Sequence, residues 1–138
     1  MEQQILNKLK ENKLFENADT QKLSKVLDSE GCRICKFRSG MEIDICSRIA
    51  FVVSGSVCVY SVDEKRRLLL RKIEENEVFG VAGLFTECSK MSKSFAKGTT
   101  EVLFIDSETV KWLLENDKNI MYNYISFLSG RISYLNKK

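Results

Sequence analysis

The sequence predicts a mainly β domain with helices at both of its ends. Apolar residues follow a helical period over roughly the first 30 positions, alternate with a period of two through most of the middle, and return to a helical period after position 106. A length of 138 residues fits one domain with a core of its own. We therefore divide the chain into N-terminal helices (1–30), a β region (31–105) and C-terminal helices (106–138).

The N-terminal region is expected to form two short helices. Asp19 can cap the second helix with its carboxylate, and Gly31 ends the region. The apolar stripes of the two helices consist of Ile5, Leu6, Leu9, Leu23, Val26 and Leu27.

Short strands separated by turn signals are expected in the β region. Strands of about five to seven residues, divided by turns at steps of about eight to twelve, indicate an antiparallel sandwich or barrel. Ser39-Gly40 and Ser54-Gly55 mark two of the turns, and the basic cluster Lys65, Arg66 and Arg67 is interpreted as a solvated hairpin tip. The alternating runs are "CRICKF", "MEIDI", "RIAFVV", "SVCVYSV", "LLLRKI" and "EVLFI".

Two helices are expected after the β region. Asp106 and Ser107 can cap the first, and Asp117 or Asn119 starts the second. On the last helix, apolar residues recur at alternating steps of four and three, which is the a/d pattern of a helix–helix seam. The seam predicts a homodimer, and the alternative is a helix that packs only on its own β region. The candidate dimer residues are Met121, Ile125, Leu128, Ile132 and Leu135.

Composition excludes several classes of protein. No apolar run approaches the roughly 20 residues of a membrane span, and the N-terminus is too polar for a secretory signal, so we expect a cytoplasmic protein without membrane contact. The chain has no histidine, which removes Ser-His-Asp and Cys-His catalysis and histidine-ligated haem. We therefore expect no enzymatic activity. A net charge of +3 gives only weak attraction to nucleic acid.

The five cysteines are expected to be reduced thiols, because the sequence shows no export signal. Cys32 and Cys35 have a spacing that metal sites use. Residues three apart on a strand face opposite sides, however, so one strand cannot easily direct both thiolates at one ion. We expect no metal site.

Five motifs in order resemble the sensor domain of CRP/FNR-family transcription regulators. The resemblance spans about residues 14 to 138. It implies a double-stranded β-helix (jelly roll) of the cyclic-nucleotide-binding-domain type, followed by a long C-terminal dimerisation helix. The motifs are "LFENADTQKLSKVL", "FRSGMEI", "IAFVVSGSVCVY", "ENEVFGVAGLF" and "EVLFIDSETVKWLLENDKNI".

The resemblance places a ligand at the turn that contains Gly80 and Gly83. Nucleotide-binding members of the family follow this turn with a glutamate that holds the ribose hydroxyl, and here that place is taken by Val81. The family's phosphate-binding arginine falls on Lys90 or Met91, and its hydroxyl residue on Ser92. Valine cannot accept a hydrogen bond, so we expect weak or no cyclic AMP binding.

A different ligand of this turn remains open: a more apolar molecule, or an acidic one that Lys90 and Lys93 would attract. No cofactor is expected, and the effector is unknown. By resemblance, Leu135 and Asn136 approach the ligand from the long helix. The candidate ligand-binding residues are Phe79, Gly80, Val81, Ala82, Gly83, Leu84, Lys90, Met91, Ser92, Lys93, Leu135 and Asn136.

The expected function is the effector-sensing and dimerisation domain of a CRP/FNR-like transcriptional regulator. Family regulators continue into a helix-turn-helix domain, whereas this sequence stops within the long helix, so we expect it to be part of a longer protein. DNA would then be bound only through that missing domain. The alternative is a stand-alone module that binds a ligand or a protein and has no DNA output.

Overall fold

The computed structural model describes residues 2–62, 68–87 and 92–136, and within them helices flank a β region as predicted. The basic cluster at 65–67 lies outside the described residues. A short 3₁₀ turn, Lys13–Phe15, joins the first two helices. The elements are α1 (Glu2–Lys10), α2 (Thr20–Leu27), β1 (Cys32–Phe37), β2 (Glu42–Ile43), β3 (Arg48–Ser61), β4 (Leu69–Ile73), β5 (Val78–Phe79), β6 (Ser92–Asp106), α3 (Ser107–Asn116) and α4 (Lys118–Asn136).

The sheet is built around two long antiparallel strands, β3 and β6. Its order is β1-β6-β3-β4, with β2 paired to β6 and β5 paired to β3. Strand β1 pairs along its whole length with the second half of β6, from Cys32 opposite Ile105 to Phe37 opposite Thr100. Short strands thus flank both halves of the long pair, which is the jelly roll that the resemblance implied.

The turn predicted at Ser54-Gly55 is wrong, because β3 runs through it. The pairing of β3 with β6 shifts register on both sides of Ser54, and Gly55 has φ +88°. A Cβ atom at Gly55 would lie 2.6 Å from the carbonyl oxygen of Thr99. Glycine here therefore accommodates an irregularity inside a strand rather than a chain reversal.

The strand boundaries after residue 75 also differ from the prediction. The run "EVLFI" is only the end of β6, which starts at Ser92. The segment between them contains Gly98 with φ +73° and several polar residues, so it lacks the continuous alternation that reveals a strand. Val78 and Phe79, expected in a turn, pair with Phe51 and Ala50 of β3.

The predicted helix caps are present. The Asp19 carboxylate accepts the amide of Gln21 at 2.9 Å. The Asp106 carboxylate accepts the amide of Thr109 at 2.8 Å. Asp117 is buried and precedes α4, and its carboxylate accepts hydrogen bonds from backbone amides in the first turn of α4. Asp117 rather than Asn119 therefore starts the last helix.

Two apolar clusters fill the domain. Strand β3 serves both, because alternate residues face opposite sides: Ile49 and Phe51 join the cluster under the helices, and Ala50 and Val52 join the one inside the roll. We call them the helical core and the roll core. The helical core includes Leu9, Phe15, Leu23, Phe51, Val81, Leu84, Leu103 and Leu113. The roll core includes Ile43, Val52, Val57, Ile73, Phe79, Val102 and Phe104.

The cysteines follow the prediction only in part. Cys32 packs against the helical core and Cys35 against the roll core, on opposite faces of β1, and both thiols are free. Within the described ranges no group of His, Cys, Asp and Glu could hold a metal ion. Cys46, however, is disulfide-bonded, so the prediction of reduced thiols is wrong there. Sequence periodicity does not reveal which loops approach each other.

No helix in the described part of the chain is both long and apolar enough to cross a membrane.

Candidate functional site

The segment after β5, residues 80–86, forms the glycine turn. Gly80 has φ +85°, and a Cβ atom there would lie 2.4 Å from Cγ1 of Ile45. Gly83 differs, because a Cβ atom there would meet only the hydroxyl of Thr86, at an ordinary 3.7 Å. Of the two glycines, therefore, Gly80 alone occupies a position where any other residue would be strained.

The glycine turn presents unoccupied amide groups. Within the turn, the amide of Leu84 donates a hydrogen bond to the carbonyl of Val81 at 3.4 Å, and the amide of Thr86 donates one to the carbonyl of Gly83 at 3.3 Å. Among the residues that the structure describes, the amides of Ala82 and Gly83 donate to no acceptor. They remain able to donate to a bound ligand.

A cavity of about 750 Å³ lies beside the glycine turn. Its walls come from the glycine turn, from β2 and the loop that follows it, and from the start of β6. The volume is within the roughly 300–1,000 Å³ that small-molecule sites occupy. Of the residues predicted to bind a ligand, the cavity is lined by Gly80, Gly83, Ser92 and Lys93.

The other predicted residues lie elsewhere. Phe79 is buried in the roll core, and Val81 and Leu84 are buried in the helical core. None of the three lines this cavity, because their side chains pack into the two cores instead. Ala82 is exposed and likewise does not line it. Lys90 and Met91 lie outside the described residues, so their roles stay predictions.

Leu135 and Asn136 are exposed at the end of α4 and do not line the cavity of their own chain. Their predicted contact with a ligand therefore stays a prediction.

The glycine turn is attached to α4 through Tyr124. The Tyr124 hydroxyl donates to the carbonyl of Val81 at 3.4 Å, and its ring meets the ring of Phe85 edge-on at 6.1 Å between centroids. Tyr124 is only 8% exposed, and burial raises the pKa of its hydroxyl. The tyrosine therefore stays protonated near neutral pH and keeps its donor.

Sequence reasoning missed the loop between β2 and β3 as a wall of the cavity. Strand β2 places Ile43 opposite Ser94 of β6. The Arg48 guanidinium donates through Nε to the Asp44 carbonyl at 2.9 Å and lies 3.6 Å from the centre of the Phe104 ring. The alternation in "MEIDI" indicated a strand, but no local signal shows that its end approaches the glycine turn.

The described charges at the cavity are mostly negative. Glu42, Asp44 and Glu87 line it, against Lys93 as the one basic residue of the described lining. None of these four forms an ion pair with any described residue. Among the described residues of the lining, carboxylates therefore outnumber basic side chains.

The predicted a/d seam of α4 is largely exposed in the single chain. Ile125 is 53% exposed, Ile132 60% and Leu135 57%. Leu128 is half-buried against the helical core. Ile120 and Tyr124, on the face of α4 that adjoins the seam, are buried. The helix thus uses one face for its own domain and leaves an apolar stripe uncovered.

Comparisons with known proteins agree with this architecture. The sensor domain of the transcriptional regulator DNR from Pseudomonas aeruginosa matches with TM-score 0.85 at 17% identity, covering 100% of this chain and 96% of that chain. Catabolite Activator Protein from Thermus thermophilus matches with TM-score 0.77 at 19% identity, covering 91% of this chain and 60% of that one. The regulatory domain of Toxoplasma gondii PKA, solved with cAMP, matches with TM-score 0.75 at 19% identity, over 96% of this chain and 50% of that one.

These similarities establish the fold, and no curated protein sequence matches the chain. The family is established by a sequence profile described as the cyclic nucleotide-binding domain, which matches residues 37–117, more than half of the chain. The resemblance predicted from the sequence is thereby confirmed at the level of family and fold. The chain belongs to the cyclic nucleotide-binding domain family.

Proposed function

We propose that the chain is the effector-sensing and dimerisation domain of a CRP/FNR-like transcriptional regulator. The observation that carries the proposal is the hydrogen bond from Tyr124 on α4 to the carbonyl of Val81 in the glycine turn. This hydrogen bond connects the glycine turn, which forms one wall of the ligand-sized cavity, to α4, whose apolar seam is exposed. All 138 residues are proposed to act as one sensor domain, with a regulatory rather than a catalytic role.

The proposed mechanism is a shift between two arrangements of a dimer. A ligand that contacts Gly80 and Gly83 would alter the glycine turn, and Tyr124 would transmit the change to α4. Such a ligand shifts the equilibrium only as far as its affinities for the two arrangements differ. The output would pass to a DNA-binding domain outside this sequence.

Dimerisation through α4 is supported by the exposed seam. Fully burying an aliphatic side chain contributes about 1.5–3 kcal/mol, so several residues of the seam together supply a substantial driving force. The seam has the period of helices that pack side by side, and a two-fold axis along it would pair each residue with its symmetry mate.

Replacing one seam residue tests the dimer. Ile125→Glu should convert the protein to a monomer, because two carboxylates would be buried face to face. Leu70→Glu on β4 is the matched control, since Leu70 is also 53% exposed but lies away from the seam. Ile125 is a better choice than Leu128, whose contacts with the helical core would confound association with folding.

The measurement is the solution mass by analytical ultracentrifugation. A wild-type protein that is already monomeric at micromolar concentration, or an Ile125→Glu variant with unchanged mass, contradicts the proposal. In that case the alternative of a stand-alone ligand- or protein-binding module is favoured.

Weak cyclic AMP binding is proposed for the same cavity. Val81 is buried in the helical core and offers no acceptor for a ribose hydroxyl, which would cost about 1–3 kcal/mol if left unpaired. The unpaired carboxylates Glu42, Asp44 and Glu87 would also repel the phosphate. Titration calorimetry should show dissociation constants no tighter than the high micromolar range, and tight binding would contradict this part of the proposal.

A further inference from the structure

We propose that the cavity beside the glycine turn takes a small organic cation, such as a primary amine with an apolar body, as its effector. The inference rests on the proposed function, because it assumes that this cavity is the effector site. It goes further in naming the chemical class of the ligand, and it differs from the acidic ligand that Lys90 and Lys93 suggested in the sequence.

The first observation is the charge of the lining. Glu42 and Asp44 come from β2 and the loop after it, whereas Glu87 follows the glycine turn, so carboxylates from separate segments converge on one cavity. Against these three negative charges, Lys93 supplies the one positive charge of the described lining. A bound cation would offset the excess, and a bound anion would add to it.

Arg48 does not neutralise these carboxylates. Both Nε and Nη2 of Arg48 donate to the backbone carbonyl of Asp44, at 2.9 and 2.6 Å, and the guanidinium stacks on Phe104. The Asp44 carboxylate instead accepts the backbone amide of Cys46 at 3.0 Å. Asp44, which lines the cavity, thus has no ion pair with a described residue.

The second, independent observation is the hydroxyl of Ser94. This residue is 6% exposed and lines the cavity, and its hydroxyl makes no hydrogen bond to any residue that the structure describes. The hydroxyl therefore faces the cavity, where water or a ligand can donate a hydrogen bond to it. A primary ammonium brings three N–H donors and can supply that hydrogen bond while facing the carboxylates.

The remaining surface of the cavity sets the shape of the ligand. Ile43, Ile45 and Val62 also line it, so an apolar body can pack beside the polar groups. A cationic head near Ser94 and an apolar body near these side chains would use both parts of the lining.

Three probes that share one ring test the charge preference. They are tyramine, a cation; tyrosol, its neutral alcohol analogue; and para-hydroxyphenylacetate, an anion. Two excess negative charges about 8 Å from a bound unit charge, in water-like surroundings, change affinity by roughly fivefold for each step in ligand charge. Calorimetry at low ionic strength should therefore rank tyramine above tyrosol and tyrosol above the anion, at about fivefold per step.

Variants assign the preference to the residues named. The double variant Glu42→Gln with Asp44→Asn should bring the three affinities close together, whereas Glu115→Gln on the exposed face of α3 should leave them unchanged. Ser94→Ala should weaken tyramine several-fold and leave the unfolding temperature unchanged, because its hydroxyl has no partner among the described residues.

The inference is overturned if para-hydroxyphenylacetate binds most tightly, if no probe binds at millimolar concentration, or if the double variant behaves like Glu115→Gln. These results are separable from failure of the proposed function. If the protein is a dimer whose cavity prefers the anion, the proposed sensing role stands and the proposed ligand class is wrong. If the protein is a monomer that binds tyramine, the proposed sensing role is wrong and the proposed ligand class stands.

Discussion

Replacing Gly80 with alanine should destabilise the protein strongly, whereas the same change at Gly83 should not. A side chain at the φ of +85° found at Gly80 costs about 1–2 kcal/mol in backbone strain. The added Cβ would also lie 2.4 Å from Cγ1 of Ile45 and 3.0 Å from the carbonyl oxygen of Arg48. Relieving such an overlap in a packed region costs about 1–3 kcal/mol. The two effects together predict a loss of roughly 2–5 kcal/mol.

The assay is equilibrium unfolding in urea, followed by the fluorescence of Trp112, the single tryptophan of the chain. All variants are compared at one protein concentration, because association would shift the apparent stability. At this size, each kcal/mol lowers the melting temperature by about 3–5 °C, so Gly80→Ala should melt roughly 6–25 °C below the wild type.

Gly83→Ala is the internal control, because its Cβ would meet only Thr86 at 3.7 Å. It should change stability by about 0.5 kcal/mol or less. If Gly80→Ala melts within about two degrees of the wild type, or if the two variants lose equal stability, then the close approach of Ile45 to the glycine turn is not a rigid feature of the fold.

Three further predictions concern single side chains. Asp117→Ala should lower the free energy of unfolding in urea by about 2 kcal/mol, because the Asp117 carboxylate accepts hydrogen bonds from the amides of Asp19 and of the first turn of α4. Asp117→Asn should cost less, and equal losses in the two variants would refute the capping role. Burial, and to a smaller extent Asp106, raises the pKa of Cys32 to about 12, so its thiol should resist alkylation at pH 8 in the folded protein. The folded state then holds a proton that the unfolded state releases above about pH 9, so stability should fall as the pH rises towards 12, and less so in Cys32→Ala. Tyr124→Phe should cost about 1 kcal/mol and speed hydrogen exchange of the amides at 80–86, and unchanged exchange would show that the hydroxyl does not hold the glycine turn.

Local chemistry made much of the fold predictable. The capping carboxylates of Asp19 and Asp106 act within a few residues of themselves, so their positions in the sequence were sufficient. The apolar stripe of α1 is buried as expected, and the buried residues of α3 lie at helical spacing. These features depend on the period of the backbone, which a sequence displays directly.

Features that depend on distant segments were not predictable. Ser54-Gly55 has the composition of a turn, and only the pairing of β3 with β6 across it shows that the strand continues. The same limit hid the contribution of Asp44 and Ser94 to the cavity, because they are 50 positions apart and meet through the pairing of β2 with β6.

The orientation of Val81 limits how this domain could acquire, or be engineered for, nucleotide recognition. Its side chain is 3% exposed within the helical core, and its carbonyl is held by Tyr124. A glutamate at this position would place its carboxylate among apolar side chains, at a cost that a single ribose contact could not repay. If nucleotide recognition needs a glutamate at position 81, as the resemblance implies, then the glycine turn would have to be rebuilt with it, which takes several coordinated substitutions rather than one.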